Sequence, residues 1–158
     1  MAAAAALATV PAGVASAVGG GGGGGGDKET VLEITTEATD RYGFPLTDVP
    51  VGHGFGIAGN STSTATGGAY GTFGSACVVQ RVEETYLVTN CVETFETPRG
   101  QITTQGIKNE PTDESPLEFK EAVTGGTGDF AHATGYACFE EQSDHSYRIT
   151  FHLQLDNR

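Results

Sequence analysis

A glycine-rich stretch at residues 123–137, VTGGTGDFAHATGYA, constrains the fold more than any other part of this chain. Three glycines at positions 125, 126 and 128 follow the apolar Val123. Glycine reverses a chain easily because it adopts a positive φ at little steric cost. The pattern predicts that one strand ends at Val123 and that a second begins at Asp129. At least one of the three turn glycines is expected to have φ > 0.

The rest of the sequence predicts an all-β domain. No segment has a helical period, and short alternating runs of apolar, β-branched and aromatic residues are separated by Gly, Pro, Asn and Asp. The polar segment 60–68 is predicted to be a loop. Tight turns between most strands favour an eight-stranded antiparallel up-and-down β-barrel, with a β-sandwich as the alternative. The predicted strands are 31–36, 52–58, 70–82, 85–96, 101–108, 117–124, 129–140 and 146–155.

The N-terminal part of the chain is not expected to fold. Residues 1–18 are apolar and rich in alanine, and they end near Ala15-Ser16-Ala17, which matches the A-x-A cleavage site of a secretory signal. An alanine-rich disordered tail is the alternative. Residues 19–29 contain eight consecutive glycines and are interpreted as a flexible linker. The predicted organisation is a signal-like segment over 1–18, a linker over 19–29 and a β-barrel domain over 30–158, in a secreted protein.

The charge of the chain argues against two classes of partner. The formal net charge is −12, from 20 acidic and 8 basic residues, and the lysines and arginines form no cluster. Nucleic acids and anionic membrane surfaces attract clustered cations. Neither a nucleic acid nor a membrane is therefore expected as a partner.

The three cysteines suggest one cross-strand bridge. Cys77 and Cys91 are equally spaced about Glu84, so they face each other on paired strands if Glu84 lies in a hairpin turn. Two buried free thiols in a reducing compartment are the alternative. Cys138 is expected to be a small core residue. No C-x-x-C, H-x-H or H-x-x-x-H spacing occurs, so no metal site is expected.

Glu93 is the first candidate for a functional side chain. It lies in the middle of the fourth predicted strand, on the side that carries Cys91 and Phe95. If that side faces the lumen, Glu93 is a carboxyl group in apolar surroundings, a position that often marks function. In the alternative interpretation it faces solvent. The opposite side of this strand is also apolar, and a homo-oligomer would cover it.

His132 and Tyr136 are the second and third candidates. On the seventh predicted strand they share one side with Phe130, and that side is interpreted as facing the lumen. There an imidazole or a phenol would supply a proton or a hydrogen bond. The alternative is that each is a packed barrel residue with no chemical role.

The order of residues in several segments resembles the allene oxide cyclase and dirigent superfamily of small β-barrels. The stretch 123–137 is similar to the glycine hairpin of that superfamily. GTFGSACVV at 71–79 is similar to the G-T-x-G-x-x-C-x-V strand of its bacterial members. NCVET at 90–94 and PRGQITTQG at 98–106 resemble the strand and turn that follow, and ITFHL at 149–153 resembles the closing strand. The resemblance covers about residues 52–155.

This resemblance implies an eight-stranded barrel that is usually oligomeric and needs neither a metal nor an organic cofactor. It also implies that a small apolar metabolite is confined in the lumen and directed toward one ring or one stereoisomer. A cyclase or isomerase, a non-catalytic binding or dirigent-type barrel, and a structural secreted protein with a filled lumen remain the candidate functions. Asp129 and Thr134 depart from the basic residues common at these places in dirigent proteins. The radical-coupling role is therefore not implied, and no catalytic residue is transferred from the family.

Overall fold

The computed structural model describes residues 29–113, 115–143 and 146–155, which form a closed antiparallel barrel. Each strand pairs with its neighbours in sequence, and β1 pairs with β8 to close the sheet. The predicted eight-stranded barrel is confirmed, and the sandwich is excluded. The predicted signal segment and nearly all of the predicted linker lie outside the described residues. The strands are β1 (Glu29–Tyr42), β2 (Gly54–Ser63), β3 (Ala69–Val82), β4 (Tyr86–Thr97), β5 (Gly100–Pro111), β6 (Glu118–Gly126), β7 (Thr134–Ser143) and β8 (Ser146–Gln154).

Three predicted strand boundaries are wrong by five residues or more. β1 continues to Tyr42 instead of ending at residue 36. Residues 60–63, predicted as a loop, are the end of β2 and pair with both β1 and β3. Their polar side chains are tolerated there because pairing on both sides outweighs intrinsic strand preference. The seventh strand begins at Thr134 rather than Asp129, because a short 3₁₀ helix, η1 (Gly128–Phe130), follows the glycine turn. Gly125 and Gly128 both have positive φ, which confirms the expected turn geometry.

The base of the barrel is the end where β1 begins and where η1 lies. Phe130 points inward from η1 and is fully buried, and the Arg99 guanidinium covers its ring. Phe95 packs against Phe73, Phe139 and Phe151, with ring centroids 5.1–6.3 Å apart. These five phenylalanines form the aromatic core, which fills the lumen at the base. Aromatic packing of this kind supplies much of the apolar burial that stabilises a small barrel.

The mouth is the opposite end, where the β1–β2 loop (43–53) and the β5–β6 loop (112–117) lie. Cys77 and Cys91 are directly paired between β3 and β4 and form a disulfide inside the lumen, as predicted. Phe44 and Leu46 of the β1–β2 loop pack against the apolar cluster that contains this disulfide. Cys138 does not join the core: it is a half-buried free thiol on the side of β7 opposite the buried Ala137 and Phe139.

The outer surface of the barrel carries some exposed apolar residues. Val78, Val92 and Ile107 lie on the outer face of β3, β4 and β5, and each is more than two-fifths exposed. An apolar outer side is expected for the fourth strand, and the exposure of Val92 confirms it. A homo-oligomer that covers this face stays a prediction. Within the described ranges, no helix combines the length and hydropathy needed to cross a membrane.

Candidate functional site

Glu93 lies inside the barrel. Its position in the middle of β4 places it on the lumenal face between Cys91 and Phe95, and only 6% of its surface is exposed. Of the two interpretations of this residue, the structure selects the buried one. Directly across the sheet, its register partner on β5 is Thr104, whose side chain also faces inward.

Lys108 on β5 lies closer to the mouth of the barrel than Glu93. Its Nζ atom is 3.9 Å from Glu93 Oε1 and 3.6 Å from Glu110 Oε2. The ammonium group also lies 4.4 Å from the centre of the Phe119 ring, a distance at which a cation is attracted to an aromatic face. Because Lys108 is buried, these contacts replace the water that the ammonium group would otherwise bind.

Glu121 on β6 completes the group. Thr104 Oγ1 donates a hydrogen bond of 2.6 Å to Glu121 Oε2, while Glu121 Oε1 is buried with no hydrogen-bond partner in the described part of the chain. Gly106 makes room for this side chain, because a Cβ atom at Gly106 would lie 2.8 Å from Glu121 Cγ. We call the five residues Glu93, Thr104, Lys108, Glu110 and Glu121 the charged column.

Burial raises the pKa of Glu93 to about 8. The Lys108 ammonium group opposes this effect, and the neighbouring carboxyl groups of Glu121 and Glu110 add to it. Burial also raises the pKa of Glu121, against the hydrogen bond from Thr104 and the charge of Lys108. At neutral pH Glu93 is therefore mainly a neutral carboxylic acid, which can donate a hydrogen bond or a proton.

A cavity of about 640 Å³ opens at the mouth above the charged column. Its size falls in the range of small-molecule sites, roughly 300–1,000 Å³. Glu110 belongs both to its wall and to the charged column, whereas Glu93 does not line it. The wall consists of Phe44, Pro45, Leu46, Glu110, Pro111, Asp113, Ser115, Pro116, Leu117, Glu141, Gln142 and Ser143.

This arrangement combines three chemical capacities. Apolar side chains and prolines offer a surface for a hydrophobic ligand, a neutral acid lies below, and a cation lies between the two. A neutral acid and an ammonium group can stabilise negative charge that develops on an oxygen atom. No group of three or more His, Cys, Asp or Glu side chains in the described ranges is arranged to hold a metal ion.

His132 and Tyr136 do not face the lumen, so their predicted placement is wrong. His132 is exposed in the segment between η1 and β7, and Tyr136 is 41% exposed on the outer face of β7. Because β7 starts at Thr134 after the 3₁₀ turn, Ala137 and Phe139 point inward instead, and alternation places Tyr136 outside. The Tyr136 ring stacks on His152 at 4.6 Å, and His152 contacts Glu29.

Sequence reasoning missed four members of the charged column: Thr104, Lys108, Glu110 and Glu121. A signal for them exists, because Thr104, Lys108 and Glu110 have the same parity as the apolar Ile102 on β5. Glu121 likewise lies on the same side of β6 as Phe119 and Val123. Charged residues in such positions look like solvent-facing residues until the register of both neighbouring strands is known.

Known proteins with the same fold were found among solved structures. Pyocyanin demethylase is 21% identical with a TM-score of 0.61, over 80% of this chain and 99% of that one. AbnU, described as an exo-specific intermolecular Diels-Alderase, is 12% identical with a TM-score of 0.63, over 80% and 96% of the two chains. A pterocarpan synthase dirigent protein is 15% identical with a TM-score of 0.58, over 80% and 87%.

Sequence comparison identifies the family. No curated protein of known function matches the chain. The model of the allene oxide cyclase barrel-like domain matches residues 56–153, which is more than half of the chain and spans β2 to β8. The resemblance seen in the glycine hairpin and in the strands before and after it is thus confirmed, and the chain belongs to the allene oxide cyclase barrel-like family.

Proposed function

We propose that this protein binds a small apolar metabolite in the mouth cavity and directs its ring closure or isomerisation, without a cofactor. The observation that carries the proposal is the buried Glu93, a carboxyl group with a pKa of about 8, in a column that leads to an open cavity of about 640 Å³. A barrel with a purely structural role has no need for a cavity of this size or for buried charges beneath it.

The proposed mechanism combines confinement with polar assistance. The cavity wall holds a flexible substrate close to its reactive conformer, which lowers the entropic part of the barrier. An electron-withdrawing oxygen of the substrate points down toward the charged column. There the Lys108 ammonium group, held between Glu93 and Glu110, stabilises the charge that grows on this oxygen. Lys108 passes a proton to this oxygen and is reprotonated by Glu93 behind it, and the same proton returns to Glu93 through Lys108 when the oxygen loses it as the product forms.

A second candidate is a carrier or stereochemical guide that binds without catalysis. It is favoured by one observation: Glu93 is separated from the cavity by Lys108 and does not itself form part of the wall. The similarity in fold to both Diels-Alderases and dirigent proteins supports either candidate equally. A measurement of turnover, rather than of binding, decides between a catalyst and a carrier.

We also propose that the protein works outside the cytoplasm. A buried disulfide between Cys77 and Cys91 is typical of oxidising compartments. The predicted signal-like segment over 1–18 agrees with this proposal. Mass spectrometry of the culture medium, with the N-terminal residue of the recovered protein determined, tests it directly.

The function is tested by searching for conversion without a change of mass. Purified protein is incubated with small-molecule extracts of its source, and untargeted liquid chromatography–mass spectrometry follows each compound. A cyclase or isomerase depletes one compound and produces another of identical mass. Glu93→Gln should slow this conversion at least about tenfold, as expected for loss of a positioned acid. Glu96→Gln is the matched control, because Glu96 lies exposed on the outer face of the same strand.

The outcomes separate the candidates. Conversion that depends on Glu93 supports catalysis. Retention of a compound by the protein without any conversion identifies a carrier. If no compound is either converted or retained, both candidates are wrong.

A further inference from the structure

The wall of the mouth cavity carries one sign of charge. Among the described residues of the wall, three carry carboxyl groups, Glu110, Asp113 and Glu141, and none is a lysine or an arginine. The remaining wall is largely apolar, with Phe44 and Leu46 on one side and Pro116 and Leu117 on the other. A ligand that fits this cavity is therefore surrounded by apolar groups and carboxyl oxygens.

The nearby Lys108 does not reverse this charge. Its side chain is only 8% exposed and lies behind Glu110, between that residue and Glu93. Because its ammonium group faces Glu110, Glu93 and the ring of Phe119 below the wall, it can polarise one substrate oxygen that reaches past Glu110, but it does not offset the carboxyl groups around the rest of the ligand. The hydrogen bond from the Ser115 backbone and side chain lowers the pKa of Asp113, so this group remains an anion at neutral pH.

Two carboxyl oxygens near the cavity have hydrogen-bonding capacity left over. Glu110 Oε2 is buried without a hydrogen bond in the described part of the chain, since its distance to Lys108 Nζ is 3.6 Å. Glu121, which is 2% exposed, lies in the charged column below and does not line the cavity, and its Oε1 atom has no hydrogen-bond partner among the described residues. Buried acceptors without donors are rare, and a ligand in the cavity that donates from an N–H or ammonium group would satisfy Glu110 Oε2, which belongs to the wall.

We propose that the mouth cavity selects cationic or amine-bearing apolar compounds, such as a small aromatic or terpenoid amine, over anions of the same shape. This proposal rests on the proposed function only in assuming that the cavity is the ligand site. It goes further by naming the chemical class of the ligand. Aliphatic or aromatic carboxylates and sulfonates of similar size should be rejected, because they would place a charge beside three carboxyl groups.

The test uses three probes that share one naphthalene ring: 2-naphthylmethylamine, which is protonated at neutral pH, 2-naphthylmethanol and naphthalene-2-sulfonate. Binding of each to the full chain is measured by isothermal titration calorimetry at low and at high salt. The cation should bind at least about tenfold more tightly than the alcohol, as expected for a partly desolvated charge pair. The sulfonate should show no measurable binding. High salt should reduce the preference for the cation.

Two double variants separate the cavity from the general negative charge of the protein. Glu110→Gln with Asp113→Asn removes two charges from the cavity wall, and Glu37→Gln with Glu96→Gln removes two exposed charges that do not line the cavity. The first pair should abolish most of the preference for the cation, whereas the second should leave it nearly unchanged. Equal losses in both pairs would show that the preference comes from overall charge, and the proposal would fail.

The outcomes also distinguish this proposal from the proposed function. If the alcohol or the sulfonate binds wild-type protein as tightly as the cation, the cavity is a ligand site and the inferred ligand class is wrong. If none of the three probes binds, the assumption that the cavity is a ligand site fails, and with it the basis of both proposals.

Discussion

At the base of the barrel the lumen is packed with phenylalanine rings, whereas toward the mouth it holds a lysine, three glutamates and an open cavity. Both regions are built from the inward positions of the same strands: Phe95 and Glu93 are two residues apart on β4. The base buries apolar area, which stabilises the fold. The mouth buries charge, which costs free energy unless it is well paired. The contrast indicates that the base carries most of the stability, and it agrees with the proposal that the mouth holds the ligand site.

The largest expected effect is at the aromatic core. Phe95→Ala should lower the free energy of unfolding by about 3–5 kcal/mol, because it removes a fully buried ring that touches three others. Phe44→Ala at the mouth is the comparison, since this ring is only half-buried. It should cost clearly less, and urea unfolding of both variants measures the difference. Similar losses in the free energy of unfolding at the two sites would show that the base does not contribute more to stability than the mouth.

The second effect concerns pH and the charged column. The pKa of Glu93 is about 8 in the folded protein and about 4.5 when unfolded, so the folded state binds this proton more tightly between these values. The free energy of unfolding should therefore fall as pH rises through this window, with a contribution from Glu93 on the order of 2 kcal/mol between pH 5 and 7. Glu121, whose pKa is also raised, acts in the same direction.

Glu93→Gln isolates the contribution of this one residue. Urea melts at a series of pH values should show a shallower fall in stability for this variant than for wild type. Glu96→Gln should retain the full slope, because Glu96 is exposed. Parallel curves for wild type and Glu93→Gln would mean that Glu93 titrates normally and that the mouth lacks its neutral acid.

The third effect tests the closure of the base. Gly135 has a φ of +129°, and a Cβ atom there would overlap the carbonyl oxygen of His152 on β8. Gly135→Val should destabilise the barrel by at least about 1–3 kcal/mol, the usual cost of such strain. Thr127→Ser is the control, since serine keeps the hydroxyl oxygen that accepts a hydrogen bond from the Gln101 amide. Urea melts in which Gly135→Val matches wild type would show that the start of β7 adapts freely.

The smallest effect is expected at the N-terminus. Deleting residues 1–27 should leave the melting temperature nearly unchanged, because a run of eight glycines offers no side chains to pack against either end of the barrel. Differential scanning calorimetry of the full and the shortened chain provides the measurement. A melting temperature that falls by more than a few degrees would show that this segment docks on the barrel and stabilises it, as a third region beside the base and the mouth.

Several features of this protein follow from local sequence alone. Alternation over short runs is sufficient to predict strands, since successive strand residues point to opposite faces. On β8, alternation puts Tyr147, Ile149, Phe151 and Leu153 on one side of the strand, and all four are buried. The spacing of Cys77 and Cys91 about a turn was sufficient to indicate the disulfide, because hairpin register links equidistant residues. The positive φ at Gly125 and Gly128 follows from the need to reverse the chain within a few residues.

Only the tertiary structure decided which charged residues meet. Lys108 on β5, Glu93 on β4 and Glu121 on β6 come together because three strands pair in one register and because Gly106 leaves a space between them. The sequence by itself predicted eight antiparallel strands, favoured a barrel over a sandwich and marked Glu93 as a candidate without deciding which way it faces. The 3₁₀ turn at Gly128–Phe130 changed the phase of β7 and moved Tyr136 to the outside. Alternation specifies two faces of a strand, but only closure of the sheet decides which face becomes the lumen.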